Sequence, residues 1–258
     1  MPPRLTRTAA SVDGWRMTLT PSRSPCGALK ATIAGETCLL RCSGAMYVVD
    51  HDVLIVADLH LEKGSSYAVR GQMLPPYDSA ATLARLEDEV AELNPARIVL
   101  LGDSFHDRRS IPRMAEADRA RLERMAFGRQ WLWLEGNHDR EALLAQMGGA
   151  DLDRLPGAVI DTLAVGALRL VHEPRPGDQF GEVAGHLHPA AKVAAYQRSV
   201  RRPCFVTDGQ RIVLPAFGAF TGGLNVRDIA IAGLFASPPI AAALGRDRVH
   251  PLAWGSLL

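Results

Sequence analysis

The chain has 258 residues, of which 47% are hydrophobic and 22% charged, and its formal net charge is +1. Such a composition predicts a globular protein with a core of ordinary size. A nearly neutral chain gives no global attraction to nucleic acid or membrane, although a local basic groove is compatible with it. No apolar run reaches the ~20 residues of a membrane span, and the basic N-terminal stretch lacks the apolar segment of a secretory signal. We therefore expect a cytoplasmic protein.

Four cysteines occur in the chain, and none belongs to a CxxC pair. Their spacing predicts small, buried or half-buried thiols in a reducing compartment rather than a structural zinc site. Residues 1–35 are rich in Ser, Thr, Pro and Arg, which predicts a flexible N-terminal tail. Residues 36–258 are expected to form a single domain.

The first half of that domain alternates between apolar runs and segments with helical spacing. Short runs such as Val53–Ala57 are typical of strands buried on both faces, and apolar residues every three or four positions predict helices. In chain order we expect strands at Thr37–Arg41, Ala45–Val49 and Val53–Ala57, a helix at Asp78–Leu93, a strand at Arg97–Leu101, a helix at Met114–Phe127, a strand at Gln130–Leu134 and a helix at Arg140–Met147.

The second half contains short β-rich segments with few helices between them. The expected strands are Ala158–Ile160, Leu163–Val165, Leu168–His172, Lys192–Tyr196, Cys204–Thr207, Arg211–Leu214 and Ile229–Ala232. Helix-connected strands followed by hairpin-connected strands predict an α/β fold with two packed mixed β-sheets flanked by helices. The apolar segment 233–258 could pack on this core or on a partner.

Polar clusters follow the predicted strands, where ligand sites of α/β sheets lie. The clusters are Asp58-Leu59-His60, Gly102-Asp103-Ser104, Gly136-Asn137-His138-Asp139, His172 and Gly185-His186-Leu187-His188. Carboxylates combined with imidazoles suit Mn²⁺, Fe²⁺ or Zn²⁺.

The spacing within the clusters suggests how they face the site. Asp58 and His60 are two residues apart, so an extended backbone would point both to the same side, as it would His186 and His188. A glycine precedes Asp103, Asn137 and His186. Glycine permits tight or left-handed turns and leaves room for a phosphate.

These five motifs, in this order, resemble the calcineurin-like metallophosphoesterase superfamily. The stretches DLHLEKGSSYAVRG, LLGDSFHD, RRPCFV and LPAFGAFTGGLNV resemble more narrowly the bacterial ligase-associated DNA-damage-response endonuclease (PdeM) family. The resemblance implies a four-layer α/β/β/α sandwich. Two departures lie beside ligands: Glu62 stands where glycine is common, and Glu173 rather than glycine follows His172. Both bear on the clearance for substrate more than on metal binding.

The resemblance also implies a set of ligands for two divalent metals, with Mn²⁺ expected and Fe²⁺ or Zn²⁺ as alternatives. Asp103 would bridge the two metals, and a metal-bridging hydroxide would attack the phosphodiester. The ligands of one metal would be Asp58, His60, Asp103 and His188. The ligands of the other would be Asp103, Asn137, His172 and His186.

Further residues near these motifs are candidates for catalysis or substrate binding. His138 is expected to protonate the leaving alkoxide or to stabilise the transition state. Asp139 could hold the imidazole of His138 or cap the following helix. His106, with Asp107 beside it, could support the ligands or contact substrate, or could lie in a solvated loop. For the basic residues, phosphate contact competes with a solvated surface charge: Arg70, Arg108, Arg109, Arg201 and Arg202.

Three functions remain open at this stage. The leading one is a DNA endonuclease in DNA repair, for which the resemblance implies association with a DNA ligase and a helicase. A small-molecule or nucleotide phosphoesterase would use the same ligands, because fold and metals do not choose the substrate. A non-catalytic scaffold is the remote alternative. An open, arginine-lined groove favours DNA, whereas a narrow capped pocket favours a small substrate.

Overall fold

The structure is a computed structural model that describes residues 10–12, 15–17, 19–21, 27–72, 77–136, 143, 155–195 and 198–258. Among these residues, no helix is both long enough and apolar enough to cross a membrane. An N-terminal hairpin pairs strand β1, Ala10–Val12, with strand β2, Trp15–Met17.

The first sheet carries the strands that lead to the predicted site. Its described strands are β3 (Leu19–Pro21), β4 (Leu29–Ile33), β5 (Glu36–Leu40), β6 (Met46–Val48), β7 (Val53–Val56), β8 (Arg97–Leu101), β9 (Gln130–Leu134) and β10 (Ala158–Ile160). They lie in the order β10-β9-β8-β7-β6-β5-β4-β3. Strands β7 to β10 are parallel, so their carboxyl ends meet at one edge of the sheet.

Helices cover the outer face of this sheet. The described helices on this side are α1 (Lys63–Val69), α2 (Asp78–Leu93), α3 (Ser110–Arg113) and α4 (Glu116–Ala126), whereas α5 (Ile229–Ala232) packs on the second sheet. Helix α2 turns Leu83, Leu86 and Val90 toward the sheet, where they join a buried cluster that includes Trp131 and Trp133. Apolar burial of this kind, at about 25 cal/mol per Å², holds the helices on the sheet.

The second sheet is built from shorter connections. Its described strands are β11 (Leu163–Val165), β12 (Leu168–Val171), β13 (Glu182–Ala184), β14 (Pro189–Ala195), β15 (Arg198–Thr207), β16 (Ile212–Val213), β17 (Leu224–Asn225), β18 (Ile240–Leu244) and β19 (Val249–Ala253). They lie in the order β11-β12-β13-β16-β15-β14-β17, with β18 joining β15 and β19 joining β18.

Apolar side chains from both sheets form one core between them, for example Ile55 and Val99 from the first sheet and Leu170 and Phe205 from the second. Helix α5 contributes Ile231 to another cluster on the second sheet. The predicted fold class, two mixed sheets flanked by helices, is therefore confirmed.

Some boundaries differ from the sequence-based predictions. The segment Ile229–Ala232 is a helix, not a strand, because the side chain of Asp228 caps it by accepting a hydrogen bond of 2.9 Å from the Ala230 amide. The predicted helix at Met114–Phe127 begins only at Glu116, since Met114 is extended. The predicted helix at Arg140–Met147 lies outside the described residues except for Leu143, which is helical and buried.

The expected tail also differs in part. Strand β4 lies within residues 1–35, and its Leu29, Ala31 and Ile33 are buried in the core between the sheets. Folded structure therefore begins before the expected boundary at residue 36. At the other end, β18 and β19 place the apolar C-terminal segment on the second sheet.

Candidate metal centre

The loops after β7 and β8 bring the first predicted ligands together. Backbone pairing continues past the strands, with the Asp58 amide donating to the Gly102 carbonyl at 3.2 Å and the His60 amide donating to the Asp103 carbonyl at 3.0 Å. These bonds hold Asp58, His60 and Asp103 at the carboxyl edge of the first sheet. The polar clusters thus converge where parallel strands end.

Left-handed backbone conformation is shared by most of the predicted ligands. The residues and their φ angles are Asp58 at 54°, His60 at 44°, Asp103 at 46°, His186 at 67° and His188 at 46°. Such angles cost on the order of 1 kcal/mol for a residue with a side chain, and Asp and His are among the residues that adopt them more readily. The extended backbone expected for Asp58 and His60 and for His186 and His188 is therefore wrong. A cluster of strained residues at one place is typical of a functional site.

One group of candidate donors consists of Asp58, His60 and His188. The Nε2 atoms of His60 and His188 are 3.2 Å apart, and Nε2 of His188 lies 3.4 Å from Oδ1 of Asp58. Asp58 is fully buried, whereas the two imidazoles are half-buried. This group therefore opens toward solvent on its histidine side.

The other group consists of Asp103, His172 and His186. Nε2 of His172 lies 3.3 Å from Oδ1 of Asp103 and 3.3 Å from Nδ1 of His186. The opposite ring nitrogen of His172, Nδ1, donates to the Leu101 carbonyl at 3.0 Å. That bond fixes the ring so that Nε2 faces the other donors. In metal-binding histidines, a hydrogen bond from the ring nitrogen that does not bind the metal commonly has this orienting role.

Asp58 connects the two groups. Its Oδ2 accepts a hydrogen bond of 2.9 Å from the backbone amide of His186, and its Oδ1 lies 3.9 Å from Nδ1 of His172. Because both residues belong to the other group, the two groups are immediate neighbours. The family resemblance assigns the members of each group to one metal, but it also assigns Asp103 to both metals and Asn137, which lies outside the described residues, to the second.

The glycines in the motifs make room for other ligands rather than for a phosphate. A Cβ on Gly102, whose φ is +76°, would lie 2.2 Å from Nδ1 of His172. A Cβ on Gly136 would lie 2.5 Å from Oδ1 of Asp103, and one on Gly185 would lie 2.7 Å from Oδ2 of Asp58. The two sheets thus approach each other closely at the site.

Electrostatics differ between the two groups. Burial, assisted by the neighbouring His188, lowers the pKa of His60 to about 3. Burial also acts to lower the pKa of His172, but the hydrogen bond that its ring donates to the Asp103 carboxylate and the charges of Asp58 and Asp103 outweigh burial and raise that pKa to about 9. Strongly shifted pKa values at one cleft are typical of functional sites.

The donor atoms are spaced as the ligands of a metal ion are. Metal–ligand distances of about 2.0–2.2 Å place neighbouring ligands roughly 3.0–3.5 Å apart. Separations of 3.2 to 3.4 Å between facing donors fall in that range in both groups. Carboxylates with imidazoles also suit divalent transition metals. The described residues therefore fit two divalent metals, one at each group.

The backbone conformation of Glu62, the first departure from the family pattern, explains why glycine is common at this position. Its φ is 65°, a left-handed conformation that glycine adopts without strain. The carboxylate of Glu62 is buried and accepts hydrogen bonds from Ser65 at 2.7 Å and from Ser79 at 2.9 Å. It thereby anchors the start of α1 instead of occupying the space for substrate.

His106 lies at the margin of the first group. Its ring is 6.2 Å from the ring of His60 and 5.8 Å from the ring of Tyr67 on α1. Asp107 instead accepts a hydrogen bond of 2.9 Å from Arg113, which also bonds Ser65 at 3.0 Å. His106 is thus placed near the donors, whereas Asp107 braces the loop.

Other predicted residues are placed away from the donors or are not described. Arg70, Arg108 and Arg109 are exposed, and none of them is a member of either donor group. Asn137, His138 and Asp139 lie outside the described residues. Their expected roles as ligand, proton donor and supporting residue stay predictions.

Glu173, the second departure, is exposed on a shallow pocket beside His172. Glu135 and Asp161 line the same pocket, so that side of the site is acidic, with Arg175 as a cation at its edge.

Sequence reasoning missed two features beside the donors. Helix α1 was not predicted, because its KGSSYAV sequence has no apolar periodicity. Its Lys63 donates to the Phe220 carbonyl at 2.8 Å, which ties α1 to the loop after β16. The Leu101 carbonyl that orients His172 is a backbone group, for which the sequence holds no signal.

Paired carboxylate–imidazole groups at the edge of an α/β/β/α sandwich define a metal-dependent phosphoesterase. The family model for calcineurin-like phosphoesterases matches residues 51–206. The chain belongs to this family, and the predicted membership is confirmed.

Solved structures give a narrower comparison. The chain is 32% identical to a nuclease, MPE, from Pseudomonas putida, with a TM-score of 0.65 over 87% of this chain and 100% of that chain. This similarity agrees with the narrower resemblance to the ligase-associated endonucleases. Yfce, a phosphoesterase from E. coli, is 18% identical over 78% of this chain and 98% of its own, with a TM-score of 0.39. Among curated proteins, none matches the chain.

Proposed function

We propose that this protein is a nuclease that hydrolyses phosphodiester bonds in DNA with two divalent metals. The observation that carries the proposal is the similarity to the Pseudomonas putida nuclease over 87% of the chain, together with the two adjacent donor groups. The similarity supports a nucleic-acid substrate, and the donor groups support metal-dependent hydrolysis. A role in DNA repair follows from the family resemblance, as does association with a DNA ligase and a helicase in the cytoplasm.

Two divalent metals, when bound, would activate a water as the nucleophile and polarise the phosphoryl oxygens. In the proposed site, Asp58, His60 and His188 hold one metal and Asp103, His172 and His186 hold the other. The bond from His172 to Leu101 keeps Nε2 directed at the donor atoms of Asp103 and His186. Asp103, whose backbone carbonyl accepts from the His60 amide at 3.0 Å, would hold both metals according to the family resemblance.

On the family resemblance, we assign proton transfer to the leaving oxygen to His138 and expect Asn137 to be a ligand of the second metal. His106, with its ring 6.2 Å from that of His60, lies where it can contact the substrate beside the first metal. The half-buried histidines make this the accessible side of the site. We propose Mn²⁺ as the metal, with Fe²⁺ and Zn²⁺ as alternatives, because the mixed donor set suits all three.

The test is cleavage of single-stranded, duplex and branched DNA by the purified protein with Mn²⁺. We expect DNA cleavage that needs the metal and is lost in Asp103→Asn, with bound metal measured for both proteins. The matched control is Asp247→Asn, which changes an exposed aspartate outside both donor groups and should retain full activity. Hydrolysis of small phosphoesters without cleavage of any DNA would overturn the nuclease assignment in favour of a small-molecule phosphoesterase.

A further inference from the structure

A groove leads away from the first donor group along the β14–β15 hairpin. It begins at His188, and its walls include Ala190, Arg201, Pro203, Thr221 and Gly223. The hairpin forms one wall and the loop before β17 forms the other. The groove is thus continuous with the donors but extends beyond them.

The pairing of the hairpin places a cation on the groove side. Opposite residues of an antiparallel pair lie on the same face, and successive residues alternate between faces. Ala190 is opposite Pro203, and Lys192 is opposite Arg201. All four therefore share the face that lines the groove, and both Lys192 and Arg201 are exposed.

The neighbouring arginines point the other way. Arg202 is opposite Ala191 and Arg198 is opposite Ala195, so both belong to the alternate face of the hairpin. Arg202 is exposed, as Arg201 is, but it does not line the groove. Of the two adjacent arginines, Arg201 therefore lies beside the site, whereas Arg202 lies on the other face of the hairpin.

Arg201 has donors to offer to a ligand. Its Nη2 donates to the Gly223 carbonyl on the opposite wall of the groove. A guanidinium carries five N–H donors in a planar fork that matches phosphate oxygens, so this bond orients the group without using all of them. Ala190 and Pro203, which lie between His188 and Arg201, are small or apolar and leave the path open.

Among the described residues, the pocket beside His172 has more acidic than basic side chains. The pocket beside His172 carries Glu135, Asp161 and Glu173, against Arg175. A polyanionic chain bound at the donors would therefore pass along the His188 side, where Arg201 and Lys192 are. The distribution of charge therefore favours one path for a polyanionic substrate, from the donors along the groove.

We infer that Arg201 binds a phosphate that neighbours the scissile phosphate on the same DNA strand, and so selects polynucleotides over single-phosphate esters. This inference rests on the proposed function and adds to it a residue that determines specificity. Arg201 acts on the bound strand and has no part in the hydrolysis step. Lys192, across the hairpin, strengthens the same positive wall.

The experiment compares Arg201→Ala, Arg201→Lys and Arg202→Ala with the wild type. Each protein is assayed with Mn²⁺ on an oligonucleotide and on bis(4-nitrophenyl) phosphate, which has one phosphate only. For Arg201→Ala, we expect kcat/KM on the oligonucleotide to fall about tenfold more than kcat/KM on the aryl diester, as for a lost charge-assisted bond. The slope of log(kcat/KM) against log of salt concentration should decrease by about 0.7.

The other variants make the test specific. Arg201→Lys should restore part of the loss, since it keeps the charge but not the fork, and Arg202→Ala should behave as the wild type does. Equal losses of kcat/KM on both substrates, or equal losses in Arg201→Ala and Arg202→Ala, would overturn the inference about Arg201 and leave the proposed function standing. Failure of the wild type to cleave the oligonucleotide, with the aryl diester hydrolysed, would overturn the proposed function and this inference with it.

Discussion

The two sheets make different contributions to the metal centre. The first sheet supplies both carboxylates, Asp58 and Asp103, whereas the second supplies His172, His186 and His188. Neither sheet contains a complete donor group, since each group combines residues from both. The site therefore depends on how the sheets pack against each other, and not only on the loops of either one.

The largest effect is expected from removing one histidine of the second sheet. His186→Ala and His188→Ala each take a donor from a different group, so each should lower bound Mn²⁺ from two ions to about one per chain. DNA cleavage should fall about 10³-fold in both, the loss typical of groups that stabilise developing charge. Metal analysis and kcat/KM on DNA check this prediction. Retention of two metals by both variants would show that the groups are not the ligand sets.

A smaller effect is expected from closing the space between the sheets. In Gly102→Ala the new Cβ would lie 2.2 Å from Nδ1 of His172, so the ring must move away from Asp103. We expect a 10- to 100-fold loss of kcat/KM, as when the support of a ligand is lost. Gly177→Ala is the matched control, because its φ of +77° is similar and nothing lies within 4 Å. Equal losses in the two variants would assign the effect to backbone strain alone.

A third prediction concerns the ion pair between Asp107 and Arg113, which stabilises the loop after β8 of the first sheet. Burial acts to raise the pKa of Asp107, but the hydrogen bonds from Arg113 and Ser66 outweigh it and lower that pKa to about 2. Because the pKa in the folded protein lies below the ordinary value of 3.8, the carboxylate stabilises the folded protein above about pH 4. This stabilisation is lost as the pH falls from about 4 to about 2.

The variant Asp107→Asn should therefore lower the free energy of unfolding by about 0.5–1 kcal/mol at pH 7. The difference from wild type should narrow below pH 4, and urea unfolding at several pH values measures it. In an Arg113→Met background, Asp107→Asn should lose most of this effect. A difference that is constant with pH would mean that the carboxylate charge has no part in stabilising this loop.

The smallest effect concerns two thiols in different layers. Cys38 lies in the core between the sheets and Cys204 in the cluster that includes α5, and burial raises the pKa of each to about 12. Among the three described thiols, a disulfide reagent at pH 8 should modify half-buried Cys42 before Cys38 and Cys204, because the reaction needs both a thiolate and access to it. Peptide mass spectrometry identifies the labelled residue. Rapid labelling of Cys38 would show that the sheets separate readily.

The comparison between the sheets extends to what the sequence could predict. Strands β8 and β9 and helix α2 were predicted with their observed bounds, because buried parallel strands are continuous apolar runs and α2 has a regular apolar spacing. In the second sheet, β15 begins at Arg198 rather than at Cys204; its first six residues are exposed and four of them are polar, so they carry no apolar pattern. The Ala-rich β18 has neither strong β-propensity nor alternation, so it was not predicted.

The site was predictable in composition but not in geometry. Asp58, Asp103 and His186 could be chosen because each residue type suits a metal and each follows a strand. Their left-handed backbone could not, because only the contacts of the folded chain select so rare a conformation. For the same reason, the glycines were interpreted as space for a phosphate, whereas the structure fills that space with His172 and the two aspartates.

The division of the donors between the sheets has a consequence for biosynthesis. His60 and His188, whose ring nitrogens are 3.2 Å apart, are separated by 128 positions in the chain. A nascent chain cannot offer a complete chelating site until its C-terminal half has emerged and docked. Metal binding is then one of the last steps of folding. Because the ions bind only the folded protein, they stabilise it relative to its partly folded precursors.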